Sequence, residues 1–195
     1  MKKVLLLGDS IRMGYAPYVK ELLKNQCEVY YDEQDNGRYA AYTLWQANQL
    51  FIKYGKFDVV HWNNGYWDMN IEPPMDEPIH PVDEYVHFLK RIIKQIRNNG
   101  AEIIFATTLP LIGIGMTYDV TGTGTQIAYD NNSVLTYNKA ATELMNQENI
   151  TINDLYSLML KDENCYKCED KLHLTTEGYQ VCAKQIAEII LEKLR

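Results

Sequence analysis

The chain has 195 residues, of which 46% are hydrophobic and 23% are charged, a composition typical of soluble globular proteins. We therefore expect residues 1–195 to form one domain with a substantial apolar core. The formal net charge is −7, from 26 acidic and 19 basic residues. This charge disfavours nucleic acid as a partner, because phosphate contacts need clustered Lys and Arg.

No apolar run approaches the roughly eighteen residues that a bilayer requires, so we expect no membrane span. Residues 1–7 imitate the start of a secretory signal, but their apolar run is short and stops at Gly8-Asp9-Ser10. This run predicts a first strand instead. As written, the sequence predicts a cytoplasmic protein, and a secreted protein with its leader trimmed would look the same.

Short apolar, β-branched runs alternate with longer amphipathic runs along the whole chain, which predicts βαβ units and a parallel sheet. Strands are predicted at residues 3–7, 27–31, 57–62, 102–107 and 151–152. Helices are predicted at about residues 13–24, 40–54, 82–98, 134–148 and 176–194. The fold class is therefore α/β.

Two connections, residues 69–81 and 110–132, are longer than is usual in a compact domain. The first contains four prolines, which exclude a helix through it, and the second is rich in Gly and Thr. Both follow the C-terminal end of a predicted strand, where open α/β sheets bind ligands. We expect both connections to form walls of a substrate cleft.

The four cysteines are too few for a disulfide-built scaffold in a chain of this size. Cys165 and Cys168 form a C-x-x-C pair, which with His173 and Cys182 supplies a nominal set of four zinc ligands. A loop disulfide or two ordinary thiols is the favoured interpretation, because structural zinc sites usually contain two tight ligand pairs. We expect no metal and no cofactor.

Ser10 lies between the first predicted strand and the first predicted helix, on the turn Gly8-Asp9-Ser10. A hydroxyl at this place stands at the carboxyl edge of the sheet, beside a helix N-terminus that stabilises developing negative charge. Ser10 is therefore a candidate nucleophile. A helix cap is the simpler alternative, because Ser is a preferred capping residue.

A nucleophilic serine needs a base within hydrogen-bond reach and a group that orients that base. Of the four histidines, His173 is the candidate base, because it follows Asp170 by three residues at the start of the last predicted helix. A tight turn at this spacing lets the Asp170 carboxylate accept from Nδ1–H and leaves Nε2 to face Ser10. A polar loop with an incidental Asp and His is the alternative.

Together, the Gly8-Asp9-Ser10 turn and the C-terminal Asp170-x-x-His173-Leu-Thr-x-x-Gly-Tyr segment resemble the first and last conserved blocks of the SGNH (GDSL-like) hydrolases. The resemblance spans nearly the full chain. It implies a flavodoxin-like three-layer α/β/α sandwich, here with a five-stranded parallel sheet. It also implies Ser10 as nucleophile, His173 as general base and Asp170 as its orienting acid.

The same resemblance implies an oxyanion hole made by the backbone N–H of Ser10, a glycine N–H after the second strand and an Asn side chain after the third. Gly37 is at the place of the glycine. The third block departs from the usual Gly-x-Asn-Asp, since Trp67 stands where the Asn belongs. Asn64 is the preferred replacement and Asn63 the second choice. The Asn-Asn-Gly-x-x-Asp version resembles a subgroup of bacterial SGNH hydrolases.

Four residues near the predicted cleft are candidates for substrate binding: Arg38, Trp62, Tyr66 and Trp67. The aromatic rings can stack on a sugar, although large aromatic residues are also common core residues. Arg38 can bind a carboxylate or phosphate in bidentate geometry, and an ion pair with a neighbouring acid such as Asp35 is an equally simple role.

The leading hypothesis is a serine esterase acting on a small-molecule or carbohydrate ester. We expect the ester to carry a short O-acetyl group, because the sequence does not indicate a continuous apolar groove for a long acyl chain. A lysophospholipase or thioesterase is the alternative enzyme, with an acyl pocket from residues 109–116. A catalytically idle binding module on the same fold and a flavin or nucleotide binder are further alternatives. The sequence does not indicate an oligomeric state.

Overall fold

The computed structural model describes residues 1–72, 74–113, 118–119, 126–127, 129–162 and 166–195. Five strands form a parallel sheet in the order β2-β1-β3-β4-β7. These strands are β1 (Lys3–Leu7), β2 (Glu28–Tyr30), β3 (Val59–Trp62), β4 (Glu102–Ala106) and β7 (Thr151–Asn153). A separate antiparallel pair comprises β5 (Tyr118–Asp119) and β6 (Gln126–Ile127).

The central strands are apolar because both faces of the sheet are covered. All four residues of β3 are buried, and so are Val4–Leu7 of β1. Such continuous burial is typical of parallel strands with helices on both sides. His61 is the exception in β3, a fully buried polar residue among apolar neighbours.

Helices lie on both faces of the sheet. They are α1 (Ser10–Leu23), α2 (Ala40–Tyr54), α3 (Val82–Asn99), α4 (Asn131–Gln147), α5 (Leu155–Leu160) and α6 (Thr176–Leu194). α1 packs against α6, whereas α2 packs against α3 and α3 against α4. The predicted three-layer α/β/α fold with five parallel strands is confirmed, and its strand order is that of flavodoxin-like sheets.

Two helices begin earlier than predicted because aspartates cap them. α1 begins at Ser10, where the Asp9 side chain accepts from the Ile11 N–H. α4 begins at Asn131, where the Asp130 side chain accepts from the N–H groups of Asn132 and Ser133. Short polar side chains extend a helix toward its N-terminus by satisfying its free N–H groups. The short helix α5 was not predicted.

The connection of residues 69–81 contains no α-helix among its described residues and is tied to the body of the protein. The His80 N–H donates to the Asp68 carbonyl, and the Tyr137 hydroxyl of α4 donates to the His80 carbonyl. Pro73 lies outside the described residues, as does most of residues 114–128. In the described part of the chain, no helix is both long and apolar enough to span a bilayer.

Candidate active site

Ser10 is the first residue of α1 and follows the buried strand β1 after a two-residue turn. Its Oγ lies 2.8 Å from Nε2 of His173, a residue 163 positions later in the sequence. This contact exists because α1 packs against α6. Ser10 is the first residue of α1, and α6 begins shortly after His173. Two residues that are far apart in the sequence thus meet at one point.

The turn that carries His173 is built around the carboxylate of Asp170. Its Oδ1 accepts from the backbone N–H groups of Leu172 and His173, and its Oδ2 lies 2.7 Å from His173 Nδ1. Lys171 adopts a left-handed conformation with φ of 61°, which reverses the chain between them. The carboxylate therefore holds both the backbone and the ring of His173.

Burial by itself would raise the pKa of Asp170, but hydrogen bonds from His173 and from two backbone N–H groups outweigh it and lower the pKa. The carboxylate is therefore ionised at neutral pH and accepts from Nδ1–H. This fixes the imidazole in the tautomer whose Nε2 is an acceptor, facing the Ser10 hydroxyl. The arrangement can remove a proton from Ser10 and hold the imidazolium that results.

Gly37 lies beside the Ser10 turn, but its backbone N–H donates to the Gly8 carbonyl at 2.9 Å. A Cβ at residue 37 would overlap that carbonyl, so only glycine permits this approach. The buried Arg12 fixes the loop by donating to the carbonyls of Asp32 and Asp35. In this conformation Gly37 stabilises the Gly8-Asp9-Ser10 turn, and its N–H is not free for an oxyanion.

Asn64 does not fit the expectation that it supplies an oxyanion donor. Its Nδ2 donates to the Arg38 carbonyl and to Thr43 Oγ1, and its Oδ1 accepts from the Trp62 indole. Both amide hydrogens are therefore in use inside the core. Asn63 differs, because among the described residues its Nδ2 donates to one acceptor, Asp9 Oδ1 at 2.8 Å.

Two of the predicted substrate-binding residues belong to the core instead. Trp62 is fully buried and packs edge-on against Phe105, and Tyr66 is 2% exposed with its hydroxyl donating to the Leu109 carbonyl. Neither ring has a face available to a sugar, because strand and loop residues cover both. Trp67 is half-buried, so it retains surface for a ligand.

Arg38 is exposed, and the alternative of an ion pair with Asp35 is not formed. Its guanidinium lies 4.8 Å from the centre of the Tyr42 ring, and the Asp35 carboxylate accepts from Tyr42 and Gln46 instead. The Arg38 backbone has φ of 49°, with its N–H held by Asn36. The Arg38 guanidinium therefore remains available at the rim of the site.

Sequence patterns missed a set of buried polar residues below Ser10, including Asp9, Tyr15, His61 and Asn153. His61 stands among apolar residues of a predicted strand. A single polar residue in such a strand is itself a signal, because burial is costly unless partners are present. The partners are present: His61 Nδ1 lies 3.3 Å from the Tyr15 hydroxyl, and His61 Nε2 lies 3.0 Å from the Asn153 amide nitrogen.

Of the two cysteines in the C-x-x-C pair, Cys165 lies outside the described residues. The Cys168 thiol lies 3.2 Å from the Leu174 carbonyl, and Cys182 is buried in α6. Within the described ranges, no group of three or more His, Cys, Asp or Glu side chains is arranged to hold a metal ion.

Solved structures with the same fold cover almost the whole chain. A lipase/acylhydrolase from Enterococcus faecalis has a TM-score of 0.76 at 20% sequence identity, covering 99% of this chain and 97% of its own. An acetyl xylan esterase, AlAXEase, has a TM-score of 0.72 at 19% identity, with coverages of 96% and 99%. The psychrotrophic esterase EstA from Pseudoalteromonas has a TM-score of 0.72 at 13% identity, with coverages of 100% and 99%.

Comparison of the sequence with models of protein families identifies the family of the chain. No curated protein matches the chain. The family model for GDSL-like lipase/acylhydrolase matches residues 74–186, which is more than half of the chain and includes Asp170 and His173. The chain therefore belongs to the GDSL-like lipase/acylhydrolase, or SGNH, family and is a carboxylic ester hydrolase.

Proposed function

We propose that the protein is a serine esterase in which Ser10 is the nucleophile, His173 the general base and Asp170 the residue that orients it. The observation that carries this proposal is the continuous path of short contacts, 2.8 Å from Ser10 Oγ to Nε2 and 2.7 Å from Nδ1 to Asp170. Residues 1–195 act as one domain in this proposal, since the path joins a residue near the start of that range to two residues in its last part.

The reaction follows from this geometry. His173 takes the hydroxyl proton as Ser10 Oγ attacks the ester carbonyl, and the Asp170 carboxylate stabilises the imidazolium. The imidazolium then returns the proton to the leaving alcohol, which gives an acyl-enzyme. A water molecule, deprotonated by His173, attacks the acyl carbon, and Ser10 recovers its proton when the acid leaves.

The oxyanion needs donors beside Ser10, and the first is the Ser10 backbone N–H at the N-terminus of α1. Among the described residues no acceptor contacts this N–H, and the helix dipole favours negative charge there. Asn63 is the second proposed donor, through the amide hydrogen that Asp9 does not use. Gly37 can join them only if its bond to Gly8 opens.

The proposed substrates are short-chain esters, with O-acetyl groups on carbohydrates first. Leu109 and Leu111 are each 1% exposed and pack into the core, so neither is available to line a long acyl pocket, and residues 114–116 of that alternative lie outside the described residues. Trp67 and Arg38 offer aromatic and cationic surface that suits a polar alcohol part. The acetyl xylan esterase among the structural neighbours is consistent with this choice.

Hydrolysis of p-nitrophenyl acetate and octanoate by the wild type and Ser10→Ala tests the proposal. We expect acetate to be the better substrate, and the variant to lose at least about a thousandfold in kcat, as triad removal does. Ser157→Ala is the matched control, because this exposed serine lies on α5 and should keep full activity. An inactive wild type between pH 6 and 9, or an active Ser10→Ala, contradicts the proposal.

A further inference from the structure

A groove with a volume of about 580 Å³ lies between α2 and α3, and we call it the α2–α3 groove. The side chains that line it include one aromatic ring, two cations and one exposed amide, from Trp45, Arg91, Lys94 and Asn48. None of these residues belongs to the path of contacts from Ser10 to Asp170. The α2–α3 groove is therefore a candidate binding site outside the residues of the proposed reaction.

Trp45 supplies the aromatic ring of the α2–α3 groove. It is 53% exposed, and in the described part of the chain no other Phe, Tyr or Trp is exposed to this degree. An indole combines a large apolar face with a polar N–H, so a ligand that covers it buries a large area. The C–H groups of a sugar ring form an apolar face that can stack on such a ring.

Two ring contacts connect Trp45 to the rim of the candidate active site. The Arg38 guanidinium lies 4.8 Å from the centre of the Tyr42 ring, and that centre lies 5.4 Å from the centre of the Trp45 ring. The Tyr42 hydroxyl donates to the Asp35 carboxylate, which restrains the ring between its two neighbours. We call Arg38, Tyr42 and Trp45 the α2 row.

The α2 row begins close to the proposed nucleophile. Gly37, the residue before Arg38, donates to the carbonyl of Gly8 in the turn that carries Ser10. Trp45 follows the first residue of α2 by less than two helical turns, a distance of about 8 Å along the helix axis. A substrate of a few linked sugars is therefore long enough to contact both Ser10 and the α2–α3 groove.

The two cations of the α2–α3 groove are not used in ion pairs between the described residues. Neither Arg91 nor Lys94 pairs with a carboxylate there, whereas Arg97 of the same helix pairs with Glu148. The Arg91 guanidinium lies 5.5 Å from the centre of the Phe88 ring, a cation–π contact that supports the side chain without neutralising it. Both positive charges can therefore bind an anion.

The two helices that form the α2–α3 groove carry few acidic residues. α2 contains no Asp or Glu, and in α3 only Asp83 and Glu84 are acidic, both in the first turn. The acidic residues that give the net charge of −7 thus lie mainly elsewhere in the chain. Exposed charges farther than about 8 Å are largely screened at physiological ionic strength, so an anion in the groove interacts mainly with Arg91 and Lys94.

We propose that the α2–α3 groove binds a carboxylate-bearing sugar of the substrate, so that the esterase acts on esters of an acidic polysaccharide. The inference rests on the proposed function of Ser10. In this complex the sugar stacks on Trp45 and its carboxylate accepts from Arg91 and Lys94. The amide of Asn48 can hydrogen-bond a sugar hydroxyl. The ester that reacts at Ser10 is on another sugar of the same chain.

Two other occupants fit the α2–α3 groove less well. A nucleic acid supplies negative charge but has no carboxylic ester for Ser10. A second copy of the chain would cover the exposed apolar surface of α2, yet the exposed Ile52 of that helix lies outside the groove. An acidic carbohydrate ester matches the aromatic ring, the two cations and the proposed reaction together.

Trp45→Ala tests the stacking contact, with acetylated polygalacturonate and p-nitrophenyl acetate as substrates. We expect the ratio of kcat/KM on the polymer to kcat/KM on the small ester to fall about tenfold, the effect of losing one stacked ring. Ile52→Ala is the matched control, because Ile52 is an exposed apolar residue of the same helix outside the groove. A wild-type ratio in Trp45→Ala, or equal losses in both variants, contradicts the proposal.

The double variant Arg91→Gln/Lys94→Gln tests the charges, with acetylated mannan as a neutral polymer. We expect the preference for acetylated polygalacturonate over acetylated mannan to fall about tenfold or more, because two charge-assisted contacts are lost. Lys90→Gln is the control, since this exposed lysine of α3 does not line the groove. A double variant that keeps the wild-type preference overturns the proposal.

Affinity electrophoresis of Ser10→Ala in gels that contain polygalacturonate measures binding without the reaction. We expect the polymer to retard this variant, and Trp45→Ala in the same chain to raise the dissociation constant about tenfold. An unchanged dissociation constant, or equal retardation by single-stranded DNA, overturns the proposal. So does a dimer in sedimentation experiments that both Trp45→Ala and Ile52→Ala dissociate. An active Ser10→Ala would instead refute the proposed function and leave polymer binding intact.

Discussion

The residues around Ser10 differ in how much hydrogen-bonding capacity remains for a ligand. The Ser10 N–H has no acceptor among the described residues, and Asn63 uses only one amide hydrogen there. Asn64 has none left, although it lies next to Asn63 in the sequence. A donor that already serves the core contributes to stability, whereas an unused donor at a helix N-terminus can serve the reaction.

Asn64→Ala should therefore be a stability variant. The substitution leaves the Trp62 indole and the Arg38 carbonyl without their partner, and each loss of a buried partner costs about 1–3 kcal/mol. We expect the free energy of unfolding in urea to fall by about 2–4 kcal/mol. Remaining folded enzyme should keep kcat within about threefold, well short of the hundredfold loss for an oxyanion donor.

Asn98→Ala is the control for this measurement, since Asn98 is exposed on α3 and its loss should change stability by less than about 0.5 kcal/mol. A stable Asn64→Ala enzyme with a hundredfold lower kcat would restore Asn64 as an oxyanion donor.

At the level of elements, the site depends on the packing of α1 against α6. Gly14 of α1 faces the Tyr179 ring of α6, and a Cβ at residue 14 would overlap that ring. This close approach brings the start of α1, with Ser10, to the residues that precede α6. The distance between Ser10 and His173 is therefore set by the contact of two helices as well as by the loops.

Gly14→Ala should separate these helices slightly. Alanine favours a helix by about 1 kcal/mol over glycine, but overpacking at a tight contact costs about 1–3 kcal/mol. We expect the melting temperature to fall and kcat to drop about tenfold or more, because small displacements of catalytic groups are costly. Replacement of Tyr179 by Leu in the same chain should restore part of both, and a full loss in the double variant would contradict the packing argument.

Much of this arrangement could be predicted from the sequence, for identifiable reasons. The ranges 40–54 and 176–194 match α2 and α6, because amphipathic periodicity is strong over long helices. The proximity of Asp170 and His173 follows from a local three-residue spacing. The occupied N–H groups of Gly37 and Asn64 could not be predicted, since their partners Gly8 and Thr43 are set by tertiary contacts.

For the whole molecule, the buried His61 makes stability depend on pH. Its pKa is about 3 in the folded protein and about 6.5 when solvated, so only the unfolded chain binds a proton between these values. The contribution of neutral His61 to the free energy of unfolding is therefore complete above about pH 6.5 and is lost as the pH falls. The contribution of one such group changes by at most about 1.4 kcal/mol per pH unit.

His61→Gln removes this titration but leaves the buried carboxylates in place. The difference in pH dependence between the wild type and the variant therefore reports the protonation of His61 alone. Urea unfolding at pH 7, 6 and 5 should show the wild type losing more stability on acidification than the variant does. The difference between them should therefore narrow toward pH 5. Two parallel stability curves would show that His61 is not neutral and buried as described.

The contact between α1 and α6 also has a consequence for the making of the protein. A ribosome adds residues from the N-terminus, so Ser10 exists long before His173, which is 163 positions later. During synthesis Ser10 therefore has no imidazole beside it, and α1 lacks the helix against which it packs. In the proposed mechanism, esterase activity begins only when translation has passed the last helix, and a chain released before residue 173 is inert.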